Sequence, residues 1–478
     1  MRKNLTLTLA VGVLVACSPT PVAPGTATDA TTAASASADA APRAMPPLSP
    51  DLASMQDFYR FQFLPDGYPG RLDDDGTVFA HPIYGTYVLG DYVRQYEAEP
   101  TQELRDAIST VAHAAVSRMD EHEGALVFWY DVDVERASRL YERHYSGLTQ
   151  AYYAVRLHRA GIAIDDPELV EAAAEVFDSL LVPAEDGGVY FESSRGISIA
   201  EVPQAPNSWI LNGWQSALAS MDEYADMTGS PEAREVVDRS ATTMAEMLPL
   251  YEVPELRTSR YGLTGFTYLR LSFESAPARL SEIELEVPGE GEFAFAESEG
   301  ISRWQLYPLD EDLEDGRPTS SSVRLNAVLS LASSPEPNRL HFTVEGAEGE
   351  VVVEVQTGRF DPLVSAPVDT SWERLASVPL DGRQQDVVVD IDPSTVAAVV
   401  APTNFTKEID GQNVNVYHSI HVQRLRQLGL ATGVDQLDET ADRWSAYVCD
   451  WATMDVYDGL SVRGAQDSDV GSPEAWCP

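Results

Sequence analysis

Cysteine is nearly absent: there are three in 478 residues, Cys17, Cys449 and Cys477. That excludes a disulfide-dense scaffold and a cysteine-rich metal cluster. Basic side chains are also scarce, 32 Lys and Arg against 76 Asp and Glu, for a formal net charge of −44. A surface of that sign repels nucleic acid and anionic membranes, and it lacks a broad basic groove for a heavily sulfated polymer. Beyond the N-terminus no apolar run is long enough to span a bilayer. The one close histidine pair, His418 and His421, has no third ligand at local spacing, so no metal is expected, and no cofactor.

The N-terminus is the exception. "MRKNLTLTLAVGVLVAC" opens with Arg2 and Lys3, continues as a short apolar run and ends in Leu14-Val15-Ala16-Cys17. This ending resembles the lipobox of bacterial lipoproteins, which implies cleavage before Cys17 and acylation there. The mature chain is then expected to be exported and anchored to a cell-envelope membrane by lipid. Residues 18–50 are rich in Ala, Thr, Ser and Pro, with too little apolar surface to offset chain entropy; they read as a disordered tether. In an exported chain, Cys449 and Cys477 are expected to form one disulfide, stabilising by about 3–4 kcal/mol in the chain-entropy model.

The first helical domain part is expected at 51–265, with a helical pattern from residue 80. Leu104, Ile108, Val111, Ala112, Ala115 and Met119 recur at helix spacing. Asp166-Pro167 and Ser230-Pro231 each supply a cap and a first residue. "YSGLTQAYYAVRLHRAG" and "NSWILNGWQSALASMDEYADMTG" both end at glycine, the usual helix stop. Within the second stretch Asn207 or Ser208 is expected to cap a helix starting near Trp209. Alternation takes over at 266–404, in "YLRLSFE", "SEIELEVPG", "RLHFTVEG", "EVVVEVQTG" and "QDVVVDIDP". Helical signals return at 405–478, in a block too short to fold alone. The fold expected is mainly α: an α/α toroid of helical hairpins, interrupted by an inserted β-sandwich.

Four stretches carry a resemblance. Glu201-Val202-Pro203, Pro206-Asn207-Ser208 and Leu211-Asn212-Gly213 form the first. Met247 to Tyr251, followed by Tyr261, form the second. Tyr417-His418-Ser419-Ile420-His421 is the third, and the segment around Gln150 a weaker fourth. Together they resemble the C-terminal domain of D-glucuronyl C5-epimerases, which invert uronic acids in heparan-type polymers. The chain departs from that family at Val202, where the family has tyrosine, and at Thr264, where it has arginine.

The resemblance implies a uronate-containing polysaccharide as substrate. Removing the C5 hydrogen beside a carboxylate needs a base on one ring face, and inversion needs an acid on the other. Glu201, Tyr261 and Tyr417 are the candidate acid/base set. Arg143, His144, Arg260 and His421 are candidates to neutralise the carboxylate as an enediolate develops. Asn212, Gln150 and His418 complete the candidate substrate-binding set. Two other readings remain open on the same toroid. One is a polysaccharide lyase or a glycoside hydrolase, the latter pairing Glu201 with Asp131 or Asp133. The other is a non-catalytic glycan-binding lipoprotein.

Overall fold

The computed structural model describes residues 44–462 except 56–58, 74–75, 131–142, 204–206, 275–278, 290, 295–306, 309–312, 315–316, 319–320, 333–335, 361–366 and 410. The chain divides into two compact units with the boundary between Val189 and Tyr190. Among the described residues there are ten α-helices, and the sheets are built from antiparallel pairs.

The unit ending at Val189 holds α1 (Pro50–Ser54), α2 (Pro82–Ala98), α3 (Gln102–Val116), α4 (Gly147–Ile164) and α5 (Pro167–Asp178). Helices α2/α3 and α4/α5 form hairpins because their links are short and capped. Thr101 accepts from the Leu104 N–H, and Asp166 from those of Glu168 and Leu169, with Pro167 fixing φ at the first position of α5. The periodic residues Ile108, Val111, Ala112, Leu169, Ala173 and Val176 are buried. Within residues 44–50, which composition assigned to the tether, Pro46 and Ser49 are hydrogen-bonded to α2. The Ser49 N–H donates to Asp91 at 2.8 Å and the Tyr92 hydroxyl to the Pro46 carbonyl at 2.8 Å. Asp91 is a buried carboxylate on α2, and burying it requires donors, which Ser49 helps to supply. Cys17 and residues 18–43 lie outside the described residues.

The unit beginning at Tyr190 holds two further hairpins, α6 (Leu211–Thr228) with α7 (Pro231–Tyr251) and α9 (Val416–Thr432) with α10 (Asp435–Asp450). Gly229 and Gly433 end α6 and α9 at φ of 72° and 70°, a left-handed conformation that glycine adopts without steric cost. Helix α6 packs on both α7 and α9.

Between α7 and α9 the chain is mostly strand. One sheet has the order Tyr307–Pro308, Ser322–Ser330, Thr264–Phe273, Glu348–Phe360, Pro367–Asp381. The other has the order Gly291–Ala294, Arg279–Val287, Asn338–Glu345, Gln385–Ile391. Leu269, Leu271, Leu325 and Val353 of the first share one apolar core with Leu285, Leu340, Phe342 and Val389 of the second, so the sheets face each other as a sandwich. The alternation that marks these strands arises because every second side chain enters that core. The stretch after Ile391 is not strand. It forms α8 (Pro393–Ala397), whose Val396 joins the same core with Val399 and Val400. Cys449, in α10, is disulfide-bonded; Cys477 lies outside the described residues.

Candidate active site

The segment from Glu201 to Trp214 folds around one strained residue. Helix α6 begins at Leu211, two residues later than the capping signal predicts, and no side chain caps it. Asn207 Oδ1 accepts instead from the Trp209 N–H at 2.9 Å, and its Nδ2 donates to Ser198 Oγ at 3.3 Å. Trp209 itself has φ of 52°, which costs a bulky residue about 1–3 kcal/mol. Its ring is buried edge-on to Trp214 at 5.5 Å, and its carbonyl accepts from the Tyr251 hydroxyl at 2.7 Å. These contacts hold the strain and delay the helix, which puts Asn212 and Gly213 in its first turn.

A second segment closes on that turn. The Leu211 N–H donates to the Tyr261 carbonyl at 2.9 Å, and the Leu263 N–H to the Ser208 carbonyl at 3.0 Å. Gly262 permits this approach, since a Cβ there would stand 2.7 Å from the Ser208 oxygen. Glu201 lies over the same turn. A Cβ at Gly213 would be 2.1 Å from Glu201 Oε2 and 2.5 Å from Glu201 Cβ, so the missing side chain is what lets the glutamate settle there. The positive end of the α6 dipole favours a carboxylate at this position. Tyr417, in the first turn of α9, meets Tyr261 edge to face, with ring centroids 4.8 Å apart at 76°. Glu201 and the Tyr261 backbone therefore meet the first turn of α6, which carries Asn212, and Tyr417 meets the Tyr261 ring.

Behind the tyrosines lies a buried histidine pair. The Ser259 N–H donates to His418 Nδ1 at 3.1 Å, so the His418 proton is on Nε2 and is donated to the Trp444 carbonyl at 2.9 Å. Ser259 Oγ sits 3.0 Å from His418 Nδ1 and 2.8 Å from His421 Nδ1. Burial pushes the His418 pKa down to about 4 and that of His421 well below its ordinary value. Both rings are neutral at neutral pH. His418, expected to bind substrate, has both nitrogens committed to protein partners. His421, expected to neutralise a carboxylate, carries no charge to do so; its Nε2 is buried without a partner among the described residues.

Gln215, which sequence reasoning missed, belongs to this cluster. It lies one turn after Asn212 on α6, is fully buried, and donates from Nε2 to the His421 carbonyl at 3.4 Å. Its Oε1, like Asn212 Oδ1, is buried with no partner among the described residues. Buried polar atoms are nearly always paired, so such a group of orphans marks a place prepared for a ligand or for water. An amide at i+3 from Asn212 was the available signal. Arg260 is mostly buried, and burial lowers its pKa; Nη1 donates to the Val400 carbonyl, while Nε has no partner among the described residues.

Arg143, His144 and Gln150 belong to the other unit. Arg143 is exposed, paired with Asp120 and stacked 4.6 Å over Trp129. His144 is buried and stacks on Tyr130 at 5.4 Å. Gln150 accepts from the Phe128 N–H at 3.1 Å and donates to the Leu126 carbonyl and Ser179 Oγ, both at 2.9 Å. Its amide is spent on holding its own unit, a structural use in place of the substrate contact expected. Asp131 and Asp133 lie outside the described residues. Among the described residues no group of three or more His, Cys, Asp or Glu is arranged to hold a metal, and no helix is long and apolar enough to cross a membrane.

Residues 122–277 match the family model of the D-glucuronyl C5-epimerase C-terminus. That range contains Glu201, Asn212, Gln215 and Tyr261; Tyr417, His418 and His421 lie beyond it. No curated protein matches the chain. Among solved structures, endo-beta-1,4-glucanase CMCax from Acetobacter xylinum is similar at 13% identity and a TM-score of 0.32, covering 44% of this chain and 60% of that one. A glycoside hydrolase of family 105 from C. acetobutylicum ATCC 824 is similar at 13% identity and a TM-score of 0.27, covering 35% and 48%.

Proposed function

We propose that this protein inverts C5 of uronic acid residues within a polysaccharide, by proton removal and return at the site around the first turn of α6. The observation that carries the reading is Glu201 pressed against Gly213 in the first turn of α6, the turn to which the Tyr261 backbone is bonded, with Tyr261 edge to face on Tyr417. A base takes the C5 proton, the bonding pair moves onto the sugar carboxylate as an enediolate, and an acid returns a proton to the opposite ring face. Glu201 and the two phenols are the groups that hold and release those protons. Arg260 supplies the cation for the enediolate, and the amides of Asn212 and Gln215 with His421 Nε2 take sugar hydroxyls. Val202 stands where the family has a phenol and Thr264 where it has an arginine, so exchange is slower than in an enzyme holding both. The fold that goes with this reading is an α/α toroid of helical hairpins. The chain works at the cell envelope on a lipid anchor at Cys17.

The test is incubation of the purified protein with heparosan in heavy water. Deuterium enters C5 without chain cleavage, and Glu201→Gln lowers the rate by about 10²–10⁴-fold while the protein stays folded. An unsaturated, ultraviolet-absorbing end would make it a lyase, and a new reducing end a hydrolase. Binding with neither exchange nor cleavage would leave a glycan-binding protein. The anchor is tested separately: labelled palmitate marks the wild type in its native host, and a label that survives Cys17→Ser would remove it.

A further inference from the structure

The outer face of the five-stranded sheet carries an arrangement that the site above does not use. Strand Thr264–Phe273 sends its odd-numbered residues into the sandwich core, so Tyr268 and Arg270 point outward. The register sets Arg324 opposite Arg270, Arg270 opposite Glu354, and Glu354 opposite Arg374. This is a cross-strand row of three arginines and one glutamate, beside a register shift between Val353 and Glu354, on a chain whose acids outnumber its bases 76 to 32. Arg270 pairs with Glu354 at 2.6 Å and lies 4.1 Å over the Trp372 ring, which fixes the row in place. The neighbouring row, about 7 Å along the strands, holds Asn326 opposite Tyr268 and Trp372 opposite Gln356. Asn326 is only 7% exposed, and its Nδ2 has no partner among the described residues.

We infer that this face is a second, non-catalytic binding surface for a carboxylate-bearing glycan chain. Aromatic rings stack on the apolar faces of sugar rings, and guanidinium forks bind carboxylates in bidentate fashion. The two rows set these functions side by side, with an amide donor, Asn326, in the second. Local charge complementarity selects the occupant: a neutral glycan has no use for the arginine row, whereas a carboxylate-bearing one does. The surface is linked in sequence to the proposed site. The strand that carries it begins at Thr264, three residues after Tyr261. A polymer held here is kept near the cleft, which raises its local concentration. The inference rests on the proposed substrate class only for its choice of probe.

The test uses the full chain carrying Glu201→Gln, so that binding is read without turnover, and measures heparosan by affinity electrophoresis and calorimetry. Arg324→Glu and Trp372→Ala each weaken binding about tenfold, and carboxyl-reduced heparosan binds the unsubstituted face at least tenfold less. Arg324 is exposed, so its variant decides the matter even if Trp372→Ala fails to fold. With Glu201 restored, C5 exchange on a short oligosaccharide is unchanged by Arg324→Glu, while KM for the polymer rises. Unaltered heparosan affinity in Arg324→Glu would overturn the inference. So would equal affinity for the carboxyl-reduced polymer, or self-association abolished by Arg324→Glu in a protein that does not bind heparosan. Binding as expected without C5 exchange in the wild type would sink the proposed activity and leave this surface standing.

Discussion

Two fully buried glutamines, one in each unit, have opposite fates. Gln150 makes three hydrogen bonds, to the Phe128 N–H, the Leu126 carbonyl and Ser179 Oγ, and so ties a strand and a turn to α4. Gln215 makes one long bond, to the His421 carbonyl, and leaves its Oε1 buried without a partner among the described residues. A satisfied buried amide holds a fold together; an unsatisfied one is kept at a cost in stability. The neighbours of Gln215 repeat the pattern: Asn212 Oδ1, His421 Nε2 and Arg260 Nε are orphans as well. Trp209 adds a strained backbone on the segment that leads into the same helix. The orphan atoms of Asn212, Gln215, Arg260 and His421 belong to the candidate site, and the other unit's glutamine gives the control.

The comparison breaks or sharpens under one pair of substitutions. Gln150→Leu leaves three protein groups unpaired and is expected to lower stability by about 3 kcal/mol, with C5 exchange unaltered in whatever fraction stays folded. Gln215→Leu removes one weak bond and one orphan, so the urea midpoint should move by less than about 1 kcal/mol equivalent. Its cost falls on substrate: kcat/KM for exchange drops about tenfold, as for a lost hydroxyl contact. If Gln215→Leu destabilises as much as Gln150→Leu, the unpaired oxygen is an ordinary structural feature and the contrast collapses.

Part of this was legible in the chain and part was not. Helix starts with a proline at the first position and an acceptor before it, Asp166 and Ser230, fold as those signals predict because capping is local. Sheet alternation is equally local, since each strand alone decides which side chains face the core. The start of α6 was not legible. Asn207 has the right chemistry for a cap, but Tyr251 and Trp214, distant or downstream in sequence, hold Trp209 in a left-handed conformation that no propensity favours. The site residues show the same division. Glu201, Asn212, Tyr261 and Tyr417 were named by motif; Glu201 lies against Gly213, next to Asn212, and Tyr261 meets Tyr417. Gln215 and Ser259 were missed, because a glutamine in an apolar helix and a serine in a two-residue strand acquire meaning only from the His421 and His418 that tertiary packing brings to them. Gln150 and His418 look like binding residues in sequence for the converse reason: burial and full satisfaction are invisible there.

The smallest expected effect concerns pH and separates structural from functional histidine. His418 has a folded pKa of about 4, held down by burial, against about 6.5 in the unfolded chain. Between those values the unfolded chain binds a proton that the folded one does not. The stabilising contribution is therefore complete above pH 6.5 and is lost as pH falls toward 4, at up to about 1.4 kcal/mol for each pH unit. His421, shifted in the same direction, steepens the decline. Glu252, the charged neighbour of His418, works in a lower window. Burial raises its pKa, but the bonds from Arg443 and Tyr447 outweigh that and hold it below 4.5, so its contribution fades only on further acidification. His418→Asn keeps an acceptor for the Ser259 N–H and removes the titrating ring. Urea unfolding at pH 7, 6 and 5 should then show a shallower loss of stability in the variant, while C5 exchange, if His418 only positions α9, keeps its pH profile and loses rate through kcat. Parallel stability curves for the two proteins would mean that the ring is not held neutral in the folded chain. A shifted exchange profile would mean that it takes part in proton transfer after all.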